Sequence, residues 1–250
     1  MIGLGADSHY TKPFDLTDLE ANIAMEAWYK WNTGIGTTDI GIGGGVHRFD
    51  VWRNSANTNT VLSSKLDLFP TPGVVVCSVA VDNQSVGVLD NSNDSFLETA
   101  NASEQLNLGE FTIFGVCDVV ESSANNEAVI GRAGNDEFRL FRATGADQAR
   151  LRANGVNYDI DMTDDLPTGA FAWRLTRNGD TGAVLIHING GAQGGVNTDI
   201  NDTFDFKRIG NADTNLFMHE LAIYNKGALA AGDIALIEAD MLLRIPQLSY

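Results

Sequence analysis

An all-β fold of antiparallel strands is what this 250-residue sequence predicts, and three observations predict it. Short segments after residue 74 alternate in polarity: Val156, Tyr158, Ile160 and Met162 fall on one side of a strand and Asn157, Asp159 and Asp161 on the other. Phe171, Trp173 and Leu175 alternate in the same way with Ala172, Arg174 and Thr176. Turn signals recur at hairpin positions, Asn154-Gly155 between two such segments and "NGDTG" at 178–182 between two more. No helical period intervenes until the last strand has passed, which leaves an antiparallel sandwich or barrel.

Residues 1–13 mix small, polar and single apolar residues without a period and read as an extended arm. "DLTDLEANIAMEAW" then offers Thr17 as an N-cap with Glu20 at capping-box spacing, and Leu19, Ile23 and Ala27 at helical spacing, which predicts a short helix. The next stretch combines Trp28, Trp31 and Trp52 with a glycine-dense middle. Glycines permit tight turns while tryptophans need burial, so this reads as an irregular lead laid against a larger body. The organisation expected is arm and short helix over 1–30, lead over 31–73, and sandwich over 74–250, the last two separated by "FPTPG".

Within the third unit the candidate strands are "VVVCSVAV", "FTIFGVCDVVE", "EAVIGRA", "EFRLFRA", "ARLRAN", "VNYDIDM", "AFAWRLTRN", "GAVLIHIN", "DFKRIGN" and "LFMHELAIYN". A turn at 225–227 leads into a helix over 230–244, with Ile234, Ile237, Met241 and Leu242 on its apolar side, Asp233 in the first turn, Arg244 in the last and Pro246 as the stop. A helix with one apolar stripe belongs on the outside or edge of the sandwich.

Lys and Arg total 16 against 33 Asp and Glu, a net charge of -17 and a pI near 4.4, which argues against direct nucleic-acid binding. Cys77 and Cys117 each lie in an apolar run, where a thiol packs as a small hydrophobe, so no disulfide framework is implied. The first residues lack the basic and apolar regions of a secretory leader, and no apolar stretch reaches membrane-spanning length; synthesis in a reducing cytoplasm and no membrane partner are the expectations.

The closing strand and helix resemble the end of the concanavalin A-like, laminin G-like jelly-roll family. Glu220-Leu221-Ala222-Ile223-Tyr224-Asn225 and then Leu229, Asp233-Ile234 and Ile237-Glu238 match its terminal pattern, and "FTIF" at 111–114 is similar to one of its first core strands. This resemblance, over about 74–244, implies an antiparallel jelly-roll sandwich with an N-terminal arm and a C-terminal helix. Trp28, Tyr29, Asn32, Thr33, Gly34, Ile35 and Val46 resemble the lead of jelly-roll proteins carried by tailed bacteriophages; Phe49 and "RNSANTNT" depart from it. That second resemblance implies a virion structural protein that decorates or cements a capsid, assembled in the host cytoplasm as a homo-oligomer beside the major capsid protein. Its N-terminal arm would then hold the partner through Ile2, Leu4, Tyr10 and Phe14. The alternative is a lectin-like carbohydrate-binding module on a head or tail fibre.

Residue chemistry offers no catalytic set. The nearest match to a glucanase carboxylate strand is Glu238-Ala239-Asp240, on the expected helix and lacking a third acid. His9, His47, His187 and His219 lie in separate segments, which argues against zinc. "DNSND" at 90–94 clusters oxygen ligands of the kind lectin-like sandwiches use for Ca2+, although Asx-rich loops more often satisfy themselves. No enzyme and no cofactor are the expectations. The tryptophans read as buried anchors rather than sugar platforms.

Overall fold

The computed structural model describes residues 25–29, 35–39, 46–52, 66, 68–71, 76–78, 87–89, 96–101, 103–119, 127–132, 134–141, 148–196, 202–210 and 216–245. In chain order the strands are β1 (Met25–Tyr29), β2 (Ile35–Asp39), β3 (Val46–Trp52), β4 (Leu68–Thr71), β5 (Val76–Ser78), β6 (Gly87–Leu89), β7 (Phe96–Thr99), β8 (Leu106–Leu108), β9 (Phe111–Val119) and β10 (Glu127–Arg132). There follow β11 (Asp136–Phe141), β12 (Gln148–Ala153), β13 (Val156–Asp161), β14 (Phe171–Arg177), β15 (Val184–Ile188), β16 (Gly191–Val196), β17 (Phe204–Phe206), β18 (Arg208–Ile209), β19 (Leu216–Tyr224) and the helix α1 (Ala231–Arg244).

Every strand pair is antiparallel, and the pairs build a jelly-roll sandwich. A back sheet runs β16-β15-β14-β9-β19-β1. A front sheet runs β4-β7-β18-β10-β11-β12-β13. β3, β5 and β6 continue the pairing from β4 round to β19, with β2 alongside β3, so hydrogen bonding passes from one sheet to the other along one edge. The short pair β8–β17 places Leu106, Leu108, Phe204 and Phe206 into the core.

The main core lies between the sheets, where Phe138, Leu140, Leu151 and Ile160 of the front meet Phe111, Ile113, Trp173, Leu175, Leu221 and Ile223 of the back. The rings of Phe138 and Trp173 lie 5.1 Å apart. A second core lies on the outer side of the back sheet. There Phe114, Val116, Ala172, Ala222 and Tyr224 pack against Ile237 and Met241 of α1, with Ile234 and Leu242 partly buried beside them. Burying Ile237 and Met241 contributes about 1.5–3 kcal/mol each. Arg174 completes the dock, its Nε donating to Oε1 of Glu238 at 2.7 Å. α1 thus covers the sandwich from outside with the apolar stripe the sequence assigns to it.

Local chemistry explains the joints. Asn154 (φ 47°) and Gly155 (φ 82°) form the two-residue turn between β12 and β13, a backbone twist that suits tight hairpins. Asp136 of β11 accepts from the Asn154 backbone N–H at 3.0 Å, fixing that turn to the preceding strand. The anchoring reading of Trp28 and Trp52 holds. Trp52 is fully buried against Tyr29, and the Trp28 indole N–H donates to Glu220 at 2.9 Å.

The expected helix through Trp28 needs correction at its end: Met25–Tyr29 is β1, paired with β19. Ala27 and Tyr29 enter the main core and Trp28 the outer core, and a register shift between Met25 and Ala27 turns Met25 to the outer core as well; two-sided burial against an existing strand overrides the helical spacing. The lead is likewise more regular than its glycines suggest, since β2 pairs with β3, and Trp52 of β3 with Leu68 of β4. The rest of the arm and of the expected helix, with Trp31, lies outside the described residues.

Two consequences are measurable. A Cβ at Gly115 would stand 2.4 Å from the Trp173 ring, which is enclosed in the core. Gly115→Ala is therefore expected to lower stability by about 1–3 kcal/mol in denaturant titration. Burial pushes His219 down to about 4 from 6.5. Between these values the unfolded chain binds a proton that the fold excludes, so stability rises with pH. It is complete above the unfolded value and lost as pH falls through this window, by about 3 kcal/mol in all. Urea titrations at pH 7 and 4.5 should show a smaller difference in His219→Gln than in the parent.

Candidate functional site

The inner faces of both sheets are core and α1 covers the back, so among the described residues the outer face of the front sheet is where side chains of several strands meet without a helix over them; its middle is largely buried, with the Glu137, Arg208 and Arg139 side chains 6%, 13% and 15% exposed, while Phe69, Asn157 and Asp159 at its ends are exposed. Strand register sets its layout. One rung crosses seven strands: Phe69, Glu98, Arg208, Gly131, Glu137, Arg152 and Asn157 stand opposite one another in turn, a span of about 29 Å at strand spacing. One alternation along lies the shorter row Arg139, Arg150, Asp159, and beyond it Phe141, Gln148, Asp161. The local reason is the period of two. Phe138 and Leu140 turn Glu137, Arg139 and Phe141 outward, and Ala149 and Leu151 do the same for Arg150 and Arg152.

The middle of the rung has no side chain. Gly131 holds φ 144°, and a Cβ there would meet the Asp136 carbonyl oxygen at 2.1 Å. The strand crossing closes only with glycine, leaving bare backbone between Arg208 and Glu137.

Charge on this face is organised in two groups. In the first, Glu98 accepts from Lys207 at 2.5 Å and from Arg208 at 3.1 Å. Burial works to raise the Glu98 carboxyl, but those two hydrogen bonds and the positive charges of Arg208 and Lys207 together outweigh it and hold the group below its ordinary value. The Arg208 guanidinium lies 3.9 Å from the centroid of the Phe96 ring, and Phe69 is exposed beside this group. In the second, Arg139 donates to Glu137 through Nε at 2.9 Å and through Nη2. Arg150 pairs with Asp159 and lies 5.2 Å from the Phe141 centroid. Arg139 and Arg150 face each other directly, an arrangement that repels unless anions adjoin it, as Glu137 and Asp159 do here. Arg152, between Glu137 and Asn157, has a buried Nε with no hydrogen-bond partner.

Other candidates fall elsewhere. Ile2, Leu4, Tyr10 and Phe14 and the 90–94 loop lie outside the described residues. Glu238 is on α1 and engaged by Arg174, away from the front face. His187, on β15, is pushed down by burial and by Arg174, and His219 is in the core. Among the described residues no group of three or more His, Cys, Asp or Glu is placed to hold a metal ion, and no helix is long and apolar enough to cross a membrane. Sequence reading passed over Arg139, Arg150, Arg152 and Arg208. The available signal was the alternation in "EFRLFRA" and "ARLRAN", which puts arginines on one side.

Glu137→Ala would leave Arg139, Arg150 and Arg152 with Asp159 as the nearest described counter-charge. We expect a loss of about 1–3 kcal/mol in denaturant titration, shrinking as added salt screens the repulsion.

No protein-family model matches the chain, and no curated protein matches it in sequence. Solved structures do match in fold. The binding domain of botulinum neurotoxin serotype D superposes with a TM-score of 0.53 at 12% identity, covering 89% of this chain and 52% of that one. Trypanosoma rangeli sialidase gives 0.47 at 11% identity, over 90% and 33%. The CBM40 of the Ruminococcus gnavus IT-sialidase, bound to alpha2,3 sialyllactose, gives 0.39 at 12%, over 52% and 82%. The chain spans about half the length of the toxin binding domain, with which it shares the β-sandwich fold.

Proposed function

We propose that this chain is a lectin-like carbohydrate-binding module that holds a glycan on the outer face of its front sheet and performs no chemistry on it. The observation that carries the reading is the rung from Phe69 to Asn157, with its neighbouring row. Sugars present pairs of hydroxyl groups around a ring with apolar C–H faces. They are held by planar groups that bond through two atoms, such as guanidinium, carboxylate and amide, beside an aromatic ring. This face supplies Arg208, Glu98, Arg150, Asp159, Arg152, Asn157 and Gln148, with Phe69 and Phe96 at one end.

The fold shared with a toxin's binding domain agrees with a recognition role and leaves the ligand open. Of the two functions the sequence suggests, the capsid reading rests on Ile2, Leu4, Tyr10 and Phe14, outside the described residues, whereas the glycan reading names no residues and looks to a loop edge; it is proposed here for the sheet face instead. A virion setting is compatible with it, since a fibre or shell protein can carry such a module.

A glycan array probed with the intact chain tests the reading. Retention of a defined set of glycans is expected. Phe69→Ala and Arg208→Ala should each weaken it by about 3–30-fold, the range for losing an aromatic or cation–π contact. Leu236→Ala, on the exposed side of α1, should leave it unchanged. No retention of any glycan would overturn the proposal.

A further inference from the structure

We infer that the glycan recognised by this face carries a carboxylate, and that Arg152 takes it in a forked ion pair. The inference rests on the proposed glycan-binding role and names the class of ligand within it.

Charge distribution is the first ground. The chain carries a net -17, yet the outer face of the front sheet gathers Arg139, Arg150, Arg152, Lys207 and Arg208 against Glu98, Glu137, Asp159 and Asp161. That excess of one cation stands inside a strongly acidic molecule. An acidic surround repels densely charged polyanions at a distance, whereas a ligand with one negative charge per recognised sugar is matched by one unspent cation.

Which cation is unspent is the second ground. Arg139 is taken by Glu137, Arg150 by Asp159, and Lys207 and Arg208 by Glu98. Arg152 forms no ion pair among the described residues, and its Nε is buried without a hydrogen-bond partner. The side chain is half-buried, and a planar carboxylate meeting its Nη edge in two-pronged geometry supplies the ion pair it lacks. Asn157 stands directly across from Arg152 and offers an amide to a neighbouring hydroxyl.

Calorimetry with the intact 250-residue chain provides the test. The probes are methyl glucuronide and methyl sialoside, each against its carboxyl-reduced counterpart. At least tenfold tighter binding of one acidic probe is expected, diminishing as salt is added. Arg152→Met should erase the preference while leaving residual binding of the neutral sugar. Arg152→Lys should restore only part of it, because an ammonium keeps the charge and loses the fork. Equal binding of acidic and reduced probes by the parent protein would overturn the inference and leave the glycan-binding proposal standing. A preference that survives Arg152→Met would overturn the assignment to Arg152. Failure of all probes, together with a blank glycan array, would overturn both.

Discussion

β9 is a strand without a solvent face along nearly its whole length, and the rest of the sandwich is arranged around satisfying both of its sides. Phe111, Ile113, Cys117 and Val119 enter the core between the sheets, and Phe114 and Val116 enter the core under α1. Its neighbours are held to it closely. β14 pairs through seven successive residues, from Phe171 opposite Cys117 to Arg177 opposite Phe111, and β19 through eight partners interrupted by one bulge. In such a strand a slip of one residue would exchange the two cores, so register is fixed by packing on both sides at once. Trp173 lies over Gly115 because only a residue without a side chain admits the indole there.

The outer face of the front sheet inherits its order from that constraint. With the back sheet fixed, Phe138 can meet Trp173 in one register only, and Leu140 and Leu151 follow in theirs. The residues between them are then committed to the other side. The arginines are thus gathered by the packing of their apolar neighbours, and their mutual repulsion is offset locally by Glu137 and Asp159. The fold spends internal ion pairs on keeping this face intact, and this is why Arg152, without an ion pair among the described residues, stands out beside the paired ones.

Much of the fold was legible in the sequence because the period of two is a local property. The alternation from Val156 to Met162 and from Phe171 to Arg177, the Asn154-Gly155 turn and the single apolar stripe of α1 all name their elements from neighbours in the chain. β16 was not legible, because "GAQGGV" has no apolar period. It is a strand through its pairing with β15, and Gly194 passes close to the Asp161 carbonyl where a side chain would not fit. β1 misled through helical spacing whose apolar residues in fact serve two cores. The site was hidden for a related reason. Each arginine was visible on its own strand, but their meeting depends on cross-strand register across β10 to β13, which no local pattern states.

The helix laid over the back sheet makes the molecule two-sided in a directional sense. One broad surface is covered by α1, with Leu236 and Leu243 exposed on it, and the opposite one carries no helix among the described residues. Were the outer face of the front sheet to lie against a flat array, the helix would face away from that array in every copy. Attachment would therefore align the molecules like tiles laid face down, presenting α1 uniformly to whatever approaches from the other side.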